Sequence, residues 1–577
     1  MRPNGRVSLV LSIILLAVVP LVPRAVTDGS PAALLALPAE SILVLFLIFL
    51  LPQPSARIAV AVVFGLVVVV AISLAGIDAG YRAVLDIPFD PLDWQQLGDA
   101  FGVVRGTVGG AVANALVALI AVAAVGLVGA LAWAALRVSA AIRPLRPVRP
   151  VRLLGPDRAR GTLALTAVAA VWLVAALTGS RLVAGYAVAA DASVDAIAAS
   201  ASRAADGLAA VADLQRRIET DPYRDVPGGA LLAGLAGKDV IFAFVESYGR
   251  VAVEDSDLSA GVERVLRDGD AQLRADGYAS QSAFLTSPTF GGLSWLAHST
   301  LQSGLWIDRQ PVYSRVIRSD RLTLTEAFGR AGWRTVSVVP SNTEPWPFGT
   351  SFYHFDTLLD ANNVGYHGPS FGYARIPDQY TWKHLADEVL GADDGRPVMA
   401  EVDLVSSHTP WAPLPELVPW SETGDGSVFG PQPAQGESAG EVWQDPERVR
   451  QAYARSIRYS LGAMFAFLHE SDDPDLVLVV LGDHQPATIV SGRGAGHDVP
   501  ISIISKDPAV FAAIAEWSWE DGVLPSPDAP VWPMSDFRDR FLGAFGGRAN
   551  QSSRRVVPVP EPGCGAAVRR AARAVRP

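Results

Sequence analysis

The first third of the chain alternates long apolar runs with short polar connections. Each run is near the ~20 residues that an α-helix needs to cross the hydrocarbon core of a bilayer. The runs are Val7 to Val22, Ala32 to Leu51, Ala56 to Ala75, Val112 to Leu136 and Gly161 to Leu177. A cleaved signal peptide explains only the first of them, because the others follow it. The pattern predicts a five-helix transmembrane domain over residues 1–183.

Arginines gather in every second connection between these runs, which places them on one side of the membrane. Two precede the first run, Arg57 lies between the second and third, and seven lie between Arg137 and Arg160, the connection between the fourth and fifth runs. Because basic loops stay in the cytoplasm, the N-terminus is predicted to be cytoplasmic and everything after about Arg181 extracytoplasmic. We therefore expect an integral, multi-pass protein of the cell (plasma) membrane.

The pattern changes after the fifth run. Residues 184–237 are rich in alanine and predict a helical linker, which Asp221-Pro222 and Pro227-Gly228 interrupt. Over residues 238–548, short apolar runs rich in β-branched residues alternate with helical stretches. That alternation predicts an α/β domain, with a mixed, mostly parallel sheet covered by helices on both faces. Residues 549–577 form a basic tail, predicted to be disordered.

The predicted elements of this domain can be given by their bounds. The strands are Val240 to Val245, Arg334 to Val339, Val398 to Val405, Asp475 to Leu481 and Pro500 to Ile504. The helices are Ser294 to Ser303, Thr323 to Ala331, Tyr380 to Leu390, Pro446 to His469 and Met534 to Phe545. The stretch between Val245 and Ser287 is interpreted as a polar connection.

Composition and charge narrow the class of protein. Hydrophobic residues make up 50% of the 577 residues, and the mean hydropathy is +0.28. The first 182 residues carry 14 arginines, no lysine and eight acidic residues, so they are net +6 and the rest of the chain is −17. No broad basic face indicates a nucleic-acid partner. The single cysteine, Cys564 in the tail, excludes an internal disulfide, a cysteine zinc site and a cysteine nucleophile.

The connection between the third and fourth runs is acidic and aromatic. It carries Asp78, Asp86, Asp90, Asp93 and Asp99 together with Phe89, Trp94 and Phe101. Aromatic rings sit at headgroup level, so the segment is predicted to lie at the outer membrane surface. It either borders a lipid substrate or, as the commoner alternative, only packs on the bilayer.

Polar side chains gather at the predicted strand ends. Glu246, His408 and the pair Asp483-His484 follow apolar runs, and His497 follows a glycine-rich turn before the last strand. Functional residues of open α/β sheets collect at this edge. Two carboxylates and one imidazole form a hard ligand set, so we expect one divalent metal ion, with Mn²⁺ or Zn²⁺ favoured and Mg²⁺ allowed.

Ser294 lies where Gly291-Gly292 gives way to a predicted helix. The glycines let the backbone approach closely, and unpaired N–H groups at a helix start attract anions. Its hydroxyl would complete the metal ligand set, and metal coordination lets an alcohol act as a nucleophile near neutral pH. A serine in this position is most often only a helix cap. The combination with Glu246, Asp483 and His484 favours the nucleophile.

These residues resemble the alkaline phosphatase/sulfatase superfamily, in particular its membrane-tethered branch of lipoteichoic acid synthases and lipid A phosphoethanolamine transferases. Sulfatases begin their nucleophile motif with Cys/Ser-x-Pro-x-Arg and reach a Thr-Gly later. The run from Ser294 to Gly304 keeps the spacing from nucleophile to glycine, but Leu296 replaces the proline and His298 the arginine. Conversion to formylglycine depends on those two residues, so the resemblance implies that Ser294 stays an unmodified alcohol.

The resemblance also implies roles for the other residues. Glu246 is similar to the first metal ligand, and Asp483 and His484 to the later pair. His408 and His497 are similar to the histidines that hold phosphate or transfer protons. Asp378, in Pro377-Asp378-Gln379-Tyr380, lies in a stretch similar to one of the family and would help shape the substrate pocket.

Two further residues are candidates for substrate binding. His298 lies one helical turn beyond Ser294, so it either reaches a bound phosphate or packs against the next strand. Trp411 either lines a lipid or glycan site with Trp346 and Trp420 or, as the more common case, belongs to the core or surface.

The leading hypothesis is a membrane-anchored, metal-dependent transferase. It would move a phosphate-ester headgroup of the phosphoglycerol or phosphoethanolamine type from a membrane phospholipid to a glycan or lipid acceptor of the envelope, through a phospho-Ser294 intermediate. One alternative is a hydrolase with the same site, acting as a phosphodiesterase, a phosphatase or, less readily, a sulfatase. The other is a non-catalytic envelope scaffold or sensor.

Overall fold

The computed structural model describes residues 3–85, 88–94, 110–142, 156–183, 186–254, 256–392 and 395–547. Its N-terminal part is built from apolar helices. Three of them, Arg6–Thr27, Pro54–Arg82 and Gly110–Ile142, are long and apolar enough to cross a membrane. Two shorter apolar helices, Ala39–Leu50 and Thr166–Thr178, lie in the second and fifth predicted runs. The prediction of an apolar membrane domain is therefore confirmed, but the count of five spans is not.

The second predicted run is broken near its start. Pro31–Leu35 forms a 3-10 turn, Leu37–Pro38 pairs in parallel with Ala189–Ala190, and only Ala39–Leu50 is α-helical. Twelve residues reach about 18 Å, against the ~30 Å of a hydrocarbon core. Pro38 prevents one continuous helix over the whole run, since proline lacks an N–H and clashes with the preceding turn.

A 28-residue helix, Ala192–Glu219, follows the membrane part and is called the linker helix here. Its first turn is tied to the membrane helices, because Glu40 Oε1 accepts hydrogen bonds from the backbone N–H groups of Ser193 (2.8 Å) and Val194 (3.4 Å). A carboxylate at a helix N-terminus satisfies unpaired donors and opposes the helix dipole. Farther along, Arg203 Nε donates to the carbonyl of Phe89 at 2.8 Å.

The predicted interfacial segment is only partly within the described residues. Asp78 belongs to the helix Pro54–Leu85, where its Oδ1 accepts from the Phe89 N–H at 2.9 Å. Phe89 and Asp90 are buried, whereas Trp94 is exposed. Residues 86, 99 and 101 lie outside the described residues.

The C-terminal part contains a nine-stranded mixed sheet. Its strands are β1 Asp239–Val245, β2 Ala279–Thr286, β3 Arg334–Val339, β4 Thr357–Asp360, β5 Val398–Leu404, β6 Leu476–Gly482, β7 Asp498–Ser505, β8 Glu520–Asp521 and β9 Val531–Pro533. The order is β8-β2-β7-β6-β1-β5-β3-β4, with β9 also beside β2. Strands β6, β1, β5, β3 and β4 run parallel, and β7 is antiparallel to β6 and β2.

The sheet is buried on both faces, as β1 shows. Val240, Phe242 and Phe244 point into one hydrophobic cluster, and the residues between them point into the other. This two-residue alternation follows from strand geometry, and two buried faces make the strand apolar throughout. The predicted α/β architecture, with a central sheet between hydrophobic layers, is confirmed.

Helices cover the two faces of the sheet. The longer ones are Ser259–Ala275, Ser294–Ser303, Gln310–Val316, Leu324–Ala331, Asp378–His384, Pro446–Glu470, Pro508–Ala513 and Phe537–Phe545, with a π-helical turn at Leu385–Leu390. The predicted polar connection before Ser287 is wrong, because it contains the helix Ser259–Ala275 and strand β2. That helix buries Val262, Leu266 and Leu273 and leaves its other positions largely polar.

Candidate active site

The site lies at the carboxyl ends of β1 and β6, which are neighbouring parallel strands. Val245 is paired with Gly482, so Glu246 and Asp483 follow at the same edge of the sheet. Asp483 Oδ1 accepts hydrogen bonds from the backbone N–H groups of Ser247 and His484, both at 2.7 Å. The carboxylate therefore joins the two strand ends and fixes its own orientation.

Ser294 is brought to this edge by a strained turn. Gly291 and Gly292 have φ of 69° and 155°, and Leu293, at φ 67°, occupies the left-handed region immediately before the helix Ser294–Ser303. A left-handed non-glycine residue is unfavourable, and such strain is maintained only where the surroundings fix it. The Gly291 N–H supplies part of that fixation by donating to the Gln485 carbonyl at 2.9 Å.

The hydroxyl of Ser294 contacts two of the predicted ligands. It donates to Glu246 Oε2 at 2.9 Å, and its oxygen lies 3.3 Å from His484 Nε2. His484 Nδ1 lies 2.8 Å from the Gln485 carbonyl, an acceptor that assigns the ring hydrogen to Nδ1. Nε2 is thereby directed at Glu246 Oε1 (3.3 Å) and Asp483 Oδ2 (3.4 Å).

This donor set fits a divalent metal ion. Glu246, Asp483 and His484 each offer one ligand atom, and those atoms lie within 4.8 Å of one another. Asp483 Oδ2 is buried with no hydrogen-bond partner among the described residues. Buried polar atoms normally have partners, and an orphaned carboxylate oxygen beside a histidine oriented through its other nitrogen is typical of a ligand.

Electrostatics favour a cation at the same place. Burial raises the pKa of Asp483 to about 6, and the nearby Glu246 adds to the rise. For Glu246, burial alone would raise the pKa, but His408 and His484 hold it well below its usual range. His484 is also buried, yet the two carboxylates raise its pKa to about 9. A bound cation would take the place of the proton that these groups share.

Two cavities meet at Ser294. One has a volume of about 150 Å³ and is lined by Glu246, His408 and Asp483. The other, of about 560 Å³, extends away from the sheet edge. Ser294 and His298 line both cavities. A group bound at Ser294 would therefore have the candidate metal ligands on one side and the larger cavity on the other.

His298 contacts the sheet rather than pointing freely into the cavity. Its ring stacks on Phe244 at 3.8 Å, and Nδ1 lies 3.7 Å from Glu401 Oε1 and 3.6 Å from Asp403 Oδ1. Burial alone would lower the pKa of His298, but Asp403 and Glu401 raise it to about 9. The imidazole is therefore positively charged at neutral pH. His298 therefore packs against the neighbouring strands, as one of the two alternatives has it, and contact with a bound phosphate stays a prediction.

The sequence did not indicate the acidic partners of His298. Glu401 and Asp403 lie on β5 and together with His298 form a second group of possible metal ligands. Burial and His298 act in opposite directions on Asp403, and burial prevails, raising its pKa to about 7. The only local signal was two acidic residues, two positions apart, inside an otherwise apolar run.

His408 lies in the smaller cavity, near the metal ligands. Its ring stacks on Tyr373 at 3.8 Å, and its Nδ1 lies 2.5 Å from the Thr409 carbonyl. That contact leaves Nε2 available to a ligand. The placement agrees with the predicted role in phosphate binding or proton transfer, which stays a prediction.

Three other predicted residues do not line these two cavities. His497 faces Phe290, with 5.4 Å between ring centroids, and its carbonyl accepts from the Ser287 N–H. Asp378 is fully buried and accepts hydrogen bonds from the Ser406 N–H (2.9 Å) and the Ser460 hydroxyl (2.5 Å). Their predicted roles in proton transfer and substrate binding stay predictions.

Trp411 is the third of these residues, and it belongs to the hydrophobic core. Its Nε1 donates to the Ser407 carbonyl at 2.6 Å, and its ring stacks on Trp443 with 5.9 Å between centroids. This arrangement matches the core alternative rather than a substrate platform.

Aromatic rings and one arginine line the larger cavity. The rings belong to Trp295, Trp346, Tyr353 and Tyr373. Arg375 lines the same cavity, and within the described part of the chain it makes no ion pair or hydrogen bond. No local sequence pattern marks this arginine, because its place beside the cavity depends on the fold. The cavity combines stacking surfaces, a free cation and the Glu401–Asp403 pair.

No protein-family model matches the chain, and no curated protein matches it. Solved structures do. The lipooligosaccharide phosphoethanolamine transferase A from Neisseria meningitidis is 12% identical, with 93% of this chain and 95% of that chain covered and a TM-score of 0.46. The lipoteichoic acid synthase LtaP from Listeria monocytogenes is 12% identical, with 56% and 77% covered and a TM-score of 0.34.

The phosphoglycerol transferase GacH from Streptococcus pyogenes is 14% identical, with 57% of this chain and 90% of that chain covered and a TM-score of 0.34. These neighbours include the two kinds of enzyme that the sequence motifs resemble.

Proposed function

We propose that the protein is a membrane-anchored transferase that moves a phosphate-ester headgroup from a membrane phospholipid to an envelope acceptor. The observation that carries the proposal is the contact of the Ser294 hydroxyl with both Glu246 and His484, two of three clustered ligand residues. The headgroup would be of the phosphoglycerol or phosphoethanolamine type, and the acceptor a glycan or lipid hydroxyl.

Glu246, Asp483, His484 and the Ser294 oxygen would hold the divalent ion, with Mn²⁺ or Zn²⁺ favoured by the mixed oxygen and nitrogen ligands. When bound, the ion would lower the pKa of the serine hydroxyl and withdraw charge from the phosphate oxygens. The protein side chains would orient the nucleophile and neutralise the charge of the phosphate. Glu246 orients the hydroxyl, and the His298 imidazolium, one turn along the helix, would neutralise the phosphate that arrives at Ser294.

The reaction would proceed in two displacements. Ser294 Oγ, after losing its proton to solvent, attacks the phosphorus while the bond between phosphorus and the lipid oxygen breaks. His408, in the smaller cavity, would protonate the departing lipid alcohol. The acceptor hydroxyl then attacks phospho-Ser294, His408 takes up its proton, and the bond between phosphorus and Ser294 Oγ breaks. Ser294 Oγ leaves as the alkoxide, the form in which it first attacked, so the cycle is closed. Splitting one difficult transfer in this way makes each step easier.

The larger cavity would accommodate the acceptor. Its aromatic rings provide faces for sugar or lipid groups. A hydrolase with the same site would use water in the second step. The proposed arrangement has residues 1–183 in the membrane, residues 184–237 as linker, and residues 238–548 as the catalytic domain on the extracytoplasmic side.

A two-step assay tests the proposal. Full-length protein in lipid nanodiscs is given a phospholipid labelled in its phosphorylated headgroup, and labelled Ser294 is sought by mass spectrometry. We expect labelling that Ser294→Ala abolishes and that Ser303→Ala, which changes a helix hydroxyl away from the cavities, preserves. Activity should fall at least 10³-fold in Ser294→Ala.

The acceptor step separates the alternatives. Adding envelope glycan or glycolipid should discharge labelled Ser294 onto the acceptor. Release of free headgroup phosphate at a rate that no acceptor changes would assign a hydrolase. A protein that retains no metal and whose Ser294→Ala variant supports normal envelope function would be a scaffold or sensor.

A further inference from the structure

A third cavity, of about 510 Å³, lies where the membrane helices meet the linker helix. It is bounded by the C-terminal ends of Arg6–Thr27 and Pro54–Arg82 and by the first turns of Ala192–Glu219. The cavity therefore lies at the end of these apolar helices from which the chain continues through the linker helix. None of its lining residues lines either cavity at Ser294.

The charged groups that line this cavity are balanced in sign. They are Arg24, Arg82 and Arg203 and, opposite in charge, Asp28, Asp78 and Asp195. The walls between them are apolar or small, including Pro23, Leu74 and Ala75. A site with equal numbers of cations and anions suits a zwitterion better than a net anion, because both ends of a zwitterion find a partner.

The arginines keep donors to spare. Arg82 and Arg203 both pair with Asp78, at 2.8 Å and 3.5 Å, and Asp78 itself is buried. Arg24 makes a longer pair with Asp28, 3.5 Å, in which both side chains are about a third exposed. Each guanidinium has five N–H donors. Arg203 also donates to the Phe89 carbonyl and the Ser200 hydroxyl, so the donors left for a ligand belong mainly to Arg24 and Arg82. Their geometry is suited to phosphate oxygens.

The acidic side of the cavity is suited to an amine. Asp195 lies one turn beyond Asp191 in the linker helix, and burial together with the neighbouring Asp191 raises the pKa of Asp195. Within the part of the chain that the structure describes, the Asp28 carboxylate pairs with Arg24 alone, and both side chains are partly exposed. An ammonium group near these carboxylates would offset their repulsion.

We propose that this cavity binds the headgroup of a zwitterionic phospholipid, with the phosphate on the arginines and the amine near Asp28 and Asp195. Its position supports this occupant, because headgroups lie at the ends of membrane helices and the apolar wall continues toward the acyl chains. The site is separate from the reaction cavity and does not depend on the proposed function. It would attach a lipid to the joint between membrane and linker helices.

Lipid binding to the delipidated full-length protein in detergent tests the site. The probes are dioleoyl phosphatidylethanolamine and, for comparison, anionic dioleoyl phosphatidylglycerol, followed by native mass spectrometry and thermal unfolding. We expect one retained phosphatidylethanolamine per chain and a rise in Tm of several degrees. The double variant Arg24→Gln/Arg82→Gln should weaken binding at least tenfold.

Three further variants show whether the lipid binds at this cavity. Arg57→Gln changes an arginine at the other end of Pro54–Leu85, where it bonds the Leu51 carbonyl, and should bind lipid normally. Ser294→Ala should also bind normally, which separates this site from the reaction cavity. If the double variant does not fold, Arg24→Gln alone replaces it, because Arg24 belongs to a partly exposed ion pair. It should also weaken lipid binding. Absence of bound lipid, preference for phosphatidylglycerol, or equal binding by the arginine variants and wild type would overturn the proposal.

Discussion

Asp483 serves the fold with one oxygen and the candidate metal site with the other. Oδ1 accepts two backbone N–H groups, whereas Oδ2 is buried without a hydrogen-bond partner among the described residues and lies 3.4 Å from His484 Nε2. A carboxylate held in this way reaches a cation without first losing conformational freedom, which is the effect of preorganisation. The same residue is therefore suited to a test of the metal ligands.

Asp483→Asn keeps an oxygen for the two backbone donors and removes the negative charge. We expect the purified variant to lose nearly all of its Mn²⁺ or Zn²⁺, measured by inductively coupled plasma mass spectrometry, while remaining folded. Asp475→Asn, just before the other end of β6 and exposed beside Lys238, is the control and should keep the metal. An unchanged metal content in Asp483→Asn would show that the ligand set is wrong.

Asp378 allows a prediction about pH. Burial raises its pKa from 3.8 to about 6, although hydrogen bonds from Ser460 and Ser406 lower it in part. Above pH 6 the folded protein therefore contains a buried charge that the unfolded chain carries in water. At ~1.4 kcal/mol per pKa unit, this opposes folding by up to about 3 kcal/mol. The effect shrinks as the pH falls from 6 and disappears below 3.8, where the unfolded carboxyl also becomes protonated.

Asp378→Asn should remove this dependence. The amide oxygen can still accept from the Ser406 N–H, and the amide nitrogen can donate to the Ser460 hydroxyl. We expect the variant to have the higher Tm at pH 8 and a clearly smaller advantage at pH 4.5, measured by thermal unfolding of the full-length protein. Asp387→Asn, an exposed change in the adjoining helical turn, is the control. A difference in Tm that is the same at both pH values would contradict the assignment.

Among individual residues, the sequence predicted those that their neighbours in the chain identify as site candidates. Glu246 and Asp483 directly follow apolar strands, and Ser294 follows two glycines at a helix start, so each can be found from its neighbours in the chain. Asp403 and Arg375 have no such signal. Asp403 is reached only because β5 lies beside β1 with Phe244 paired to Asp403, a register that is set by the complete sheet.

Two glycines of the helix Ser259–Ala275 face the helix Pro446–Glu470, and they differ in how closely the two helices approach. Gly269 of Ser259–Ala275 lies against Phe465 of Pro446–Glu470, and a Cβ at this position would overlap the phenyl ring. Gly261 in the same helix is different, since a Cβ there would lie 3.4 Å from Arg458 Cδ, an ordinary contact. One glycine permits the close approach of the helices, and the other does not limit it.

The two glycines give opposite predictions. Alanine in a helix interior is favoured over glycine by about 0.5–1 kcal/mol, whereas overpacking costs about 1–3 kcal/mol. Gly269→Ala should therefore lower the free energy of unfolding, and Gly261→Ala should leave it unchanged or raise it slightly. Denaturant unfolding of both variants, followed by circular dichroism, measures this. Equal stabilities would mean that Phe465 moves aside without loss of packing.

Strands rich in β-branched residues were predicted within a few residues of their observed ends, because both of their faces are buried and their composition is unambiguous. Strand β2 was missed for the opposite reason. Its first half, Ala279-Ser-Gln-Ser282, is small and polar, and its pairing with β7, β8 and β9 is made by residues distant in the chain. The helix Ser259–Ala275 was missed because few of its positions are apolar.

On the scale of the whole molecule, the linker helix joins two parts of different composition. Glu40 caps its first turn from the membrane side. Just beyond its other end, Asp221 is fully buried, with Arg538 at 3.0 Å and Arg321 at 3.2 Å. The sequence predicted that Asp221-Pro222 ends the helix, but the arginines are 100 and 317 residues away, so their pairing was not accessible.

The buried cluster of Asp221, Arg321 and Arg538 predicts how firmly the linker helix is attached to the α/β domain. Burial alone would raise the pKa of Asp221, but Arg538 and Arg321 lower it, so the carboxylate is charged and compensates two buried guanidinium groups. Asp221→Asn removes that compensation, and breaking a buried pair typically costs about 3–5 kcal/mol. We expect a fall in Tm of several degrees, measured on the full-length protein.

Asp320→Asn is the matched control, because Asp320 pairs with Arg224 in the same region at 3.1 Å but is 79% exposed. An exposed pair contributes at most about 1 kcal/mol, so this variant should unfold close to wild type. Limited proteolysis of the linker adds a local readout. If Asp221 secures the joint, Asp221→Asn should be cleaved near residue 221 faster than Asp320→Asn. Equal Tm and equal cleavage in the two variants would show that the linker is held by its apolar contacts and not by this charge.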